Sequence, residues 1–242
     1  RTMMSRGEEA ILGVTPREIT IFFSDIAGFT TICEKMKPNE LLILLSDYFA
    51  AMSTLINSSG GTLLEFIGDA ILAVWNAPLD VSDHAFQCVD QSISMNAYLD
   101  KMRPVWQEKG YPPIKIRCGI HTATVFVGNI GSPDRMKYGV LGDGVNLASR
   151  LEGLAKPNTI LISDSTYNII KEEIDCTASE EVKVKGKLQP VKTYKVNDVL
   201  SGHRNTDIFY EDEGFLLNIE ESKITNVDLI IDSLKKSILK LK

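Results

Sequence analysis

Histidine and cysteine are scarce, at three and four among 242 residues. Cys33, Cys88, Cys118 and Cys176 stand far apart with no C-x-x-C pair, and His84, His121 and His203 complete no zinc-ligand spacing. That pattern speaks against structural zinc and for free thiols in a reducing compartment over a disulfide framework. An excess of positive charge is missing too. Lys and Arg number 26 against 32 Asp and Glu, a formal net charge of −6. Nucleic acid or an anionic membrane is therefore not expected as the main partner, which leaves room for a local basic pocket that holds phosphates. No uninterrupted apolar run approaches the roughly 18 residues of a membrane span, and no signal-peptide pattern opens the chain. Internal repeats and low-complexity tracts are absent. What is present suits a globular core: 44% hydrophobic and 24% charged residues, with length for one large domain and a tail. The chain begins at Arg1 instead of Met, which reads as a piece of something longer, with residues 1–16 as the end of a linker.

The β-rich run Ile19–Ser24 predicts a buried strand that stops at Asp25. Pro38 opens a helical pattern in which Leu41, Leu42, Leu45, Tyr48, Phe49, Met52, Leu55 and Ile56 recur at three and four, ended by Gly60-Gly61. Thr62 to Trp75 reads as a β-hairpin turning at Gly68-Asp69. Asp83 is placed to cap a second helix that reaches about Lys109. Further strands are expected at Ile114–Ile120, Val125–Ile130, Tyr138–Leu141 and Ile160–Ile162, and helices at Val145–Leu154 and Asp164–Ile170. Val182–Val196 reads as a closing hairpin that bends at Gly186-Lys187. The order β-α-β-β-α-β with strands after it predicts an α+β domain of the ferredoxin-like type over residues 17–199, a mostly antiparallel sheet covered by helices. Residues 200–242 read as a C-terminal extension, polar and acidic at first. It ends in an amphipathic helix whose face carries Val227, Ile230, Ile231, Leu234, Ile238 and Leu241.

Asp25 ends a buried strand and Asp69 sits in the hairpin turn, so in such a sheet both carboxylates can converge at one edge. Paired carboxylates without histidine or cysteine suit hard Mg²⁺ or Mn²⁺ bound together with substrate phosphates. Each aspartate taken alone also fits a solvated turn. Asn146 and Arg150 lie four apart in the helix after Gly142-Asp143-Gly144 and share a face, where an amide and a guanidinium can orient a ribose and hold a phosphoryl group. An exposed polar helix face has the same look. Lys183, Lys185 and Lys187 alternate along one strand, and such a row is either solvated or reaches a polyphosphate.

The segments Phe22–Thr30, Phe66–Ala70, Arg117–His121, Gly142–Glu152 and Val182–Tyr194, in this order and spacing, resemble the catalytic domain of class III adenylyl and guanylyl cyclases from about Arg17 to Val196. The resemblance implies conversion of a nucleoside triphosphate to its 3′,5′-cyclic monophosphate and pyrophosphate, with two divalent metal ions, Mg²⁺ or Mn²⁺. It implies Asp25 and Asp69 as the metal aspartates, with Ile26 adding its backbone carbonyl. Asn146 and Arg150 match the pair that orients the ribose and stabilises the transition state, and Lys185 matches the triphosphate-binding lysine. In this family the metal residues come from one protomer and the other three from its partner, so a homodimer is expected and a monomer would be inactive. A cytoplasmic domain of a larger signalling protein, with an upstream sensor or membrane module, is implied as well.

Two positions bear on the purine. Glu65 stands where adenylyl cyclases of this family carry lysine. A carboxylate only accepts hydrogen bonds, which suits the N1–H and 2-amino donors of guanine. Gly139 stands where animal guanylyl cyclases typically carry cysteine and adenylyl cyclases aspartate or threonine, and it has no side chain to contact either base. GTP is the expected substrate on Glu65. The competing expectations are an adenylyl cyclase with an unusual pocket and an inactive nucleotide-binding or dimerising module.

Overall fold

The computed structural model describes residues 12–132, 134–182, 190–200, 208–212 and 215–219, together with residues 231 and 235. The described residues up to Leu200 form one compact unit and those beyond it another. The chain runs β1 (Gly13–Ile26), α1 (Phe29–Lys35), α2 (Pro38–Ser58), β2 (Thr62–Ile67), β3 (Ala70–Trp75), α3 (His84–Glu108), β4 (Ile116–Ser132), β5 (Arg135–Leu141), α4 (Asp143–Leu154), β6 (Thr159–Ser163), α5 (Asp164–Ile170), β7 (Ile174–Ala178) and β8 (Thr193–Val199). In the second unit β9 (Ile208–Asp212) pairs antiparallel with β10 (Phe215–Ile219).

The sheet order is β2-β3-β1-β4-β6-β8-β7, with β5 added along β4. All pairings are antiparallel except β4 with β6. This is the α+β, mostly antiparallel architecture expected from the order of elements. Strand alternation divides β1 between two cores. Phe22 and Ile26 join the helices on one face, with Tyr48, Met52 and Ile56 of α2 and Met95, Leu99 and Trp106 of α3. Ile19, Ile21 and Phe23 face the other side, with Val125, Val127 and Ala148 of α4. Asp25, the next odd position, therefore lies on the α4 side.

Helix α2 is long and apolar enough by length and composition to cross a membrane. Its role here is visible in the packing: Leu44, Tyr48, Met52 and Ile56 recur every four residues and are at most 1% exposed. Each such side chain contributes roughly 1.5–3 kcal/mol by leaving water. α2 is a core helix whose outer face leaves Leu42 and Ile43 exposed.

Several expectations change in detail. β4 is one strand of 17 residues, where two were expected, because it continues through His121 to Thr124 opposite Ile21 to Glu18 of β1. β1 extends at both ends for the same reason. Helix α1 and strands β7, β9 and β10 were not expected. The bend expected at Gly186-Lys187 and nearly all of the terminal amphipathic helix lie outside the described residues. All four cysteines are free, as expected. His84 and His121 are buried in a hydroxyl network: Thr20 Oγ1 lies 2.7 Å from His84 Nδ1, and Ser163 Oγ 2.8 Å from His121 Nδ1. Both histidines are structural.

Candidate active site

Asp25 is the last residue but one of β1, and Asp69 lies in the two-residue turn between β2 and β3. Gly68 makes that turn with φ +65°, a conformation side chains resist. Because β3 pairs with β1, the turn lies beside the end of β1. The Ile26 N–H donates to Asp69 Oδ2 at 3.1 Å, so the structure brings the two expected carboxylates together. Burial raises the pKa of Asp69 and the charge of Asp25 adds to the rise, while the N–H bonds from its own backbone and from Ile26 oppose it.

Asp25 stands opposite Arg117 in the β1–β4 register and is gripped by it. Arg117 Nη2 donates to both carboxylate oxygens, at 2.8 and 2.6 Å, and Nε donates to Oδ1 at 3.1 Å. Two residues on, Gly119 lets α4 lie directly on β4. A Cβ there would fall 2.1 Å from the Glu152 nitrogen and 2.3 Å from the Ala148 oxygen. That backbone contact seats Glu152 over the same guanidinium, with Glu152 Oε1 3.4 Å from Arg117 Nε. Burial, then the neighbouring charge of Asp25, push the Glu152 pKa up to about 7 against the pull of Arg117.

The residues fit a hard divalent cation only in company. The donors that converge are two carboxylates bridged by Ile26, all oxygen and neither His nor Cys. Among the described residues no group of three or more His, Cys, Asp or Glu forms a ready metal cage. An oxygen set this small suits ions whose remaining positions are filled by water and substrate phosphates.

Glu65 is exposed on β2 and accepts a hydrogen bond from Lys137 Nζ of β5 at 2.8 Å. Lys137 is two residues before Gly139 and shares its side of the strand. Gly139 is buried, and a Cβ there would meet Ile130 Cδ1 at 3.2 Å. Lys137 thus ties Glu65 of β2 to the strand that carries Gly139.

Asn146 and Arg150 stand exposed on α4, opposite the buried Leu147, Ala148 and Leu151. Arg150 also lines a cleft of about 520 Å³ with Lys156, Ser179, Glu180, Val182 and Lys195. Lys185 lies outside the described residues, three positions beyond Val182. Arg117, Glu152 and Lys137 were missed as site residues. The only sequence signal for Lys137 was its two-residue spacing from Gly139; Arg117 and Glu152 bound two of the segments that carry the resemblance, but their meeting with Asp25 follows only from the strand register.

Residues 15–198 match the model of the adenylate and guanylate cyclase catalytic domain. The chain is 33% identical to adenylate cyclase 1 of Rhizobium meliloti (strain 1021) over 79% of its own length and 29% of that protein's. Among solved structures it is similar to the adenylyl cyclase CyaB from P. aeruginosa, at 37% identity and TM-score 0.74 over 77% of this chain and 97% of that one. It is similar as well to the guanylyl cyclase Cya2, at 35% identity and TM-score 0.75 over 79% of this chain and 98% of that one. The chain spans well under half the length of the curated relatives compared first, and these relatives and structures include both adenylyl and guanylyl cyclases.

Proposed function

The chain belongs to the adenylate and guanylate cyclase catalytic domain family, and on that premise we propose that it is a guanylyl cyclase that converts GTP to 3′,5′-cyclic GMP and pyrophosphate. Asp25, Asp69 and the Ile26 carbonyl are the groups to hold two divalent ions, Mg²⁺ or Mn²⁺. Such ions, when bound, lower the pKa of the ribose 3′-hydroxyl and offset charge on the α-phosphate for in-line attack. The Asn146 amide orients the ribose. The Arg150 guanidinium donates to the α-phosphoryl oxygens as their charge grows, and Lys185 holds the triphosphate tail.

Sites shared between two protomers are supported by where these groups stand. Asn146 and Arg150 project from an exposed face, and large apolar side chains are left uncovered nearby and on α2. Phe66 and Ile67, just before the Asp69 turn, are 41% and 49% exposed, and Phe126 and Leu141, paired across β4 and β5, are 51% and 49% exposed. Apolar surface of this kind marks an interaction site. A homodimer is the proposed occupant, and the chain is proposed to be the cytoplasmic catalytic part of a larger signalling protein.

The Lys137–Glu65 pair carries the choice of purine. Its carboxylate accepts from guanine N1–H and the 2-amino group, while the neighbouring ammonium donates to O6. Adenine offers a bare N1 to the carboxylate and an amino donor to the ammonium, a mismatch at both atoms. One feature favours ATP as a second reading: the Lys137 ammonium is also a donor that adenine N1 accepts, and Gly139 contributes nothing against it. The test is cyclic nucleotide formation by the purified chain, with GTP and ATP offered separately in Mn²⁺ and in Mg²⁺. Predominant cyclic GMP is expected. Predominant cyclic AMP overturns the purine assignment and leaves a nucleotide cyclase, while no product in any combination indicates an inactive module.

A further inference from the structure

His84 and His121 are the two ends of one hydrogen-bonded chain. His84 Nδ1 lies 2.7 Å from Thr20 Oγ1, which lies 2.9 Å from Thr122 Oγ1, itself 3.1 Å from Thr166 Oγ1. Thr166 Oγ1 lies 3.2 Å from Ser163 Oγ, and Ser163 Oγ 2.8 Å from His121 Nδ1. The four hydroxyls are buried and bring one proton each to five links. A complete chain therefore takes its fifth proton from one histidine Nδ1 and ends on the other as acceptor, so the two rings hold opposite tautomers. Ser165 sets the direction. Its hydroxyl donates to the Thr122 carbonyl at 2.8 Å, so it offers only an acceptor to His121 Nδ1, 3.1 Å away, and to Ser163 Oγ, 2.9 Å away. A proton on His121 Nδ1 serves both serine oxygens and lets Ser163 donate onward to Thr166, and so on to His84 Nδ1. The reverse direction leaves either Ser165 Oγ or His121 Nδ1 without a donor from the chain. Burial lowers the His84 pKa, which keeps that ring neutral and able to accept.

The His121 ring also underlies α4. A Cβ added to Gly144, in the first turn of that helix, would come within 3.3 Å of His121 Cδ2 and 3.2 Å of the Ala123 and Val125 side chains. With the proton on Nδ1, the Nε2 next to Cδ2 is a bare acceptor beside a helix start, where backbone N–H groups and the positive end of the helix dipole lie. A proton on Nε2 would set a donor against that end. The later part of α4 is fixed separately, by the backbone contact at Gly119, so the imidazole governs the first turn and Asn146 just beyond it. We propose that His121 is a positioning residue for α4: the hydroxyl chain holds it as the Nδ1–H tautomer, and its ring fixes where Asn146 stands. This rests on the assignment of Asn146 to the ribose.

The first test needs no turnover. Long-range ¹H–¹⁵N correlation spectra of the imidazoles, assigned with His84→Gln and His203→Gln, are expected to show His121 protonated on Nδ1 and His84 on Nε2. A proton on Nε2 of His121, or one tautomer shared by both rings, overturns the proposal. The second test is a double-variant cycle. His121→Phe keeps a flat ring and removes both nitrogens, and it should lower kcat about tenfold or more with KM nearly unchanged, since a misplacement of about 1 Å can cost ~10² in rate. In an Asn146→Ala background the same change should cost less than about twofold, because the group it positions is gone. Equal factors in the two backgrounds, the mark of general damage to the fold, overturn the positioning. Should His121→Phe fail to fold by circular dichroism, Ser165→Ala takes its place in the cycle. That variant removes the acceptor that sets the direction, so mixed His121 tautomers and a several-fold lower kcat are expected, and a parental spectrum with a parental rate overturns the proposal. If Asn146→Ala itself turns over at the parental rate, the assignment of Asn146 falls and takes the positioning with it.

Discussion

At the Asp25 end of the sheet the carboxylates meet partners from their own chain, whereas Asn146 and Arg150 stand exposed one turn apart on α4. Asp25 is forked by Arg117 of β4, and Asp69, in the turn before β3, is tied to the Ile26 N–H of β1. The helix that carries Asn146 and Arg150 is pinned just as firmly by Leu147, Ala148 and Leu151, yet it offers those two residues outward. The contrast shows a division of labour. Groups that must keep carboxylates close against their mutual repulsion are held by the core, and groups proposed to act on a substrate in the partner are presented at a rigid surface. Preorganisation at low cost requires that rigidity on both sides.

The largest expected effects test whether these two regions are halves of one site. Asp25→Ala and Arg150→Ala should each lower turnover by about 10³-fold or more, since each removes an interaction made chiefly in the transition state. Mixed in equal amounts, the two variants should recover about a quarter of parental activity, because half of randomly formed dimers are heterodimers with one intact site of two. An assay of the mixture that stays at the level of the single variants would show that the regions do not complete each other across an interface. Asn146→Ala should cost about 10²–10³ in turnover, the loss of ~2.7–4 kcal/mol seen when one oriented donor is removed. Single-turnover kinetics would check that binding is spared.

A smaller effect is expected at the purine. Glu65→Lys should lower the GTP-to-ATP ratio of kcat/KM by about tenfold or more, and Gly139→Asp added to it should favour ATP. The added Cβ meets only the flexible Ile130 tip, 3.2 Å away, so the strand should hold. An unchanged ratio in the double variant would detach Glu65 from the base.

The smallest effect belongs to the core behind the site. Burial lowers the pKa of His84, so the unfolded chain takes up protons there before the folded one does. Stability should therefore fall as pH drops below about 6.5, the unfolded value, and stop falling once the folded value is passed. Chemical denaturation between pH 7.5 and 5 should show a decline from this residue that is absent in His84→Gln.

Much of the fold was legible because its elements are long and regular. The α2 stripe, the Gly68-Asp69 hairpin and the α3 start at Asp83 follow from helical period, turn chemistry and capping position. Short or polar elements were not. Helix α1 is seven residues, too few to display a period, and edge strand β7 alternates weakly in Ile174–Ala178. The apparent break in β4 at His121–Thr124 was a polar stretch that β1 holds extended through backbone pairing, which no local pattern reveals.

The candidate site divides along the same line. Local residue types and spacing pointed to Asp25, Asp69, Asn146 and Arg150, because strand ends, turns and one helix face are properties of neighbours in the chain, and Glu65 followed only from the family resemblance. The partners that set their charge came from far away: Arg117 is 92 residues from Asp25 and Lys137 is 72 from Glu65. Glu152 reaches Arg117 only because Gly119 lets a helix touch a strand backbone. Strand register and close packing bring such pairs together, and both depend on contacts distributed over the whole sheet, so they emerge with the folded domain and not before it.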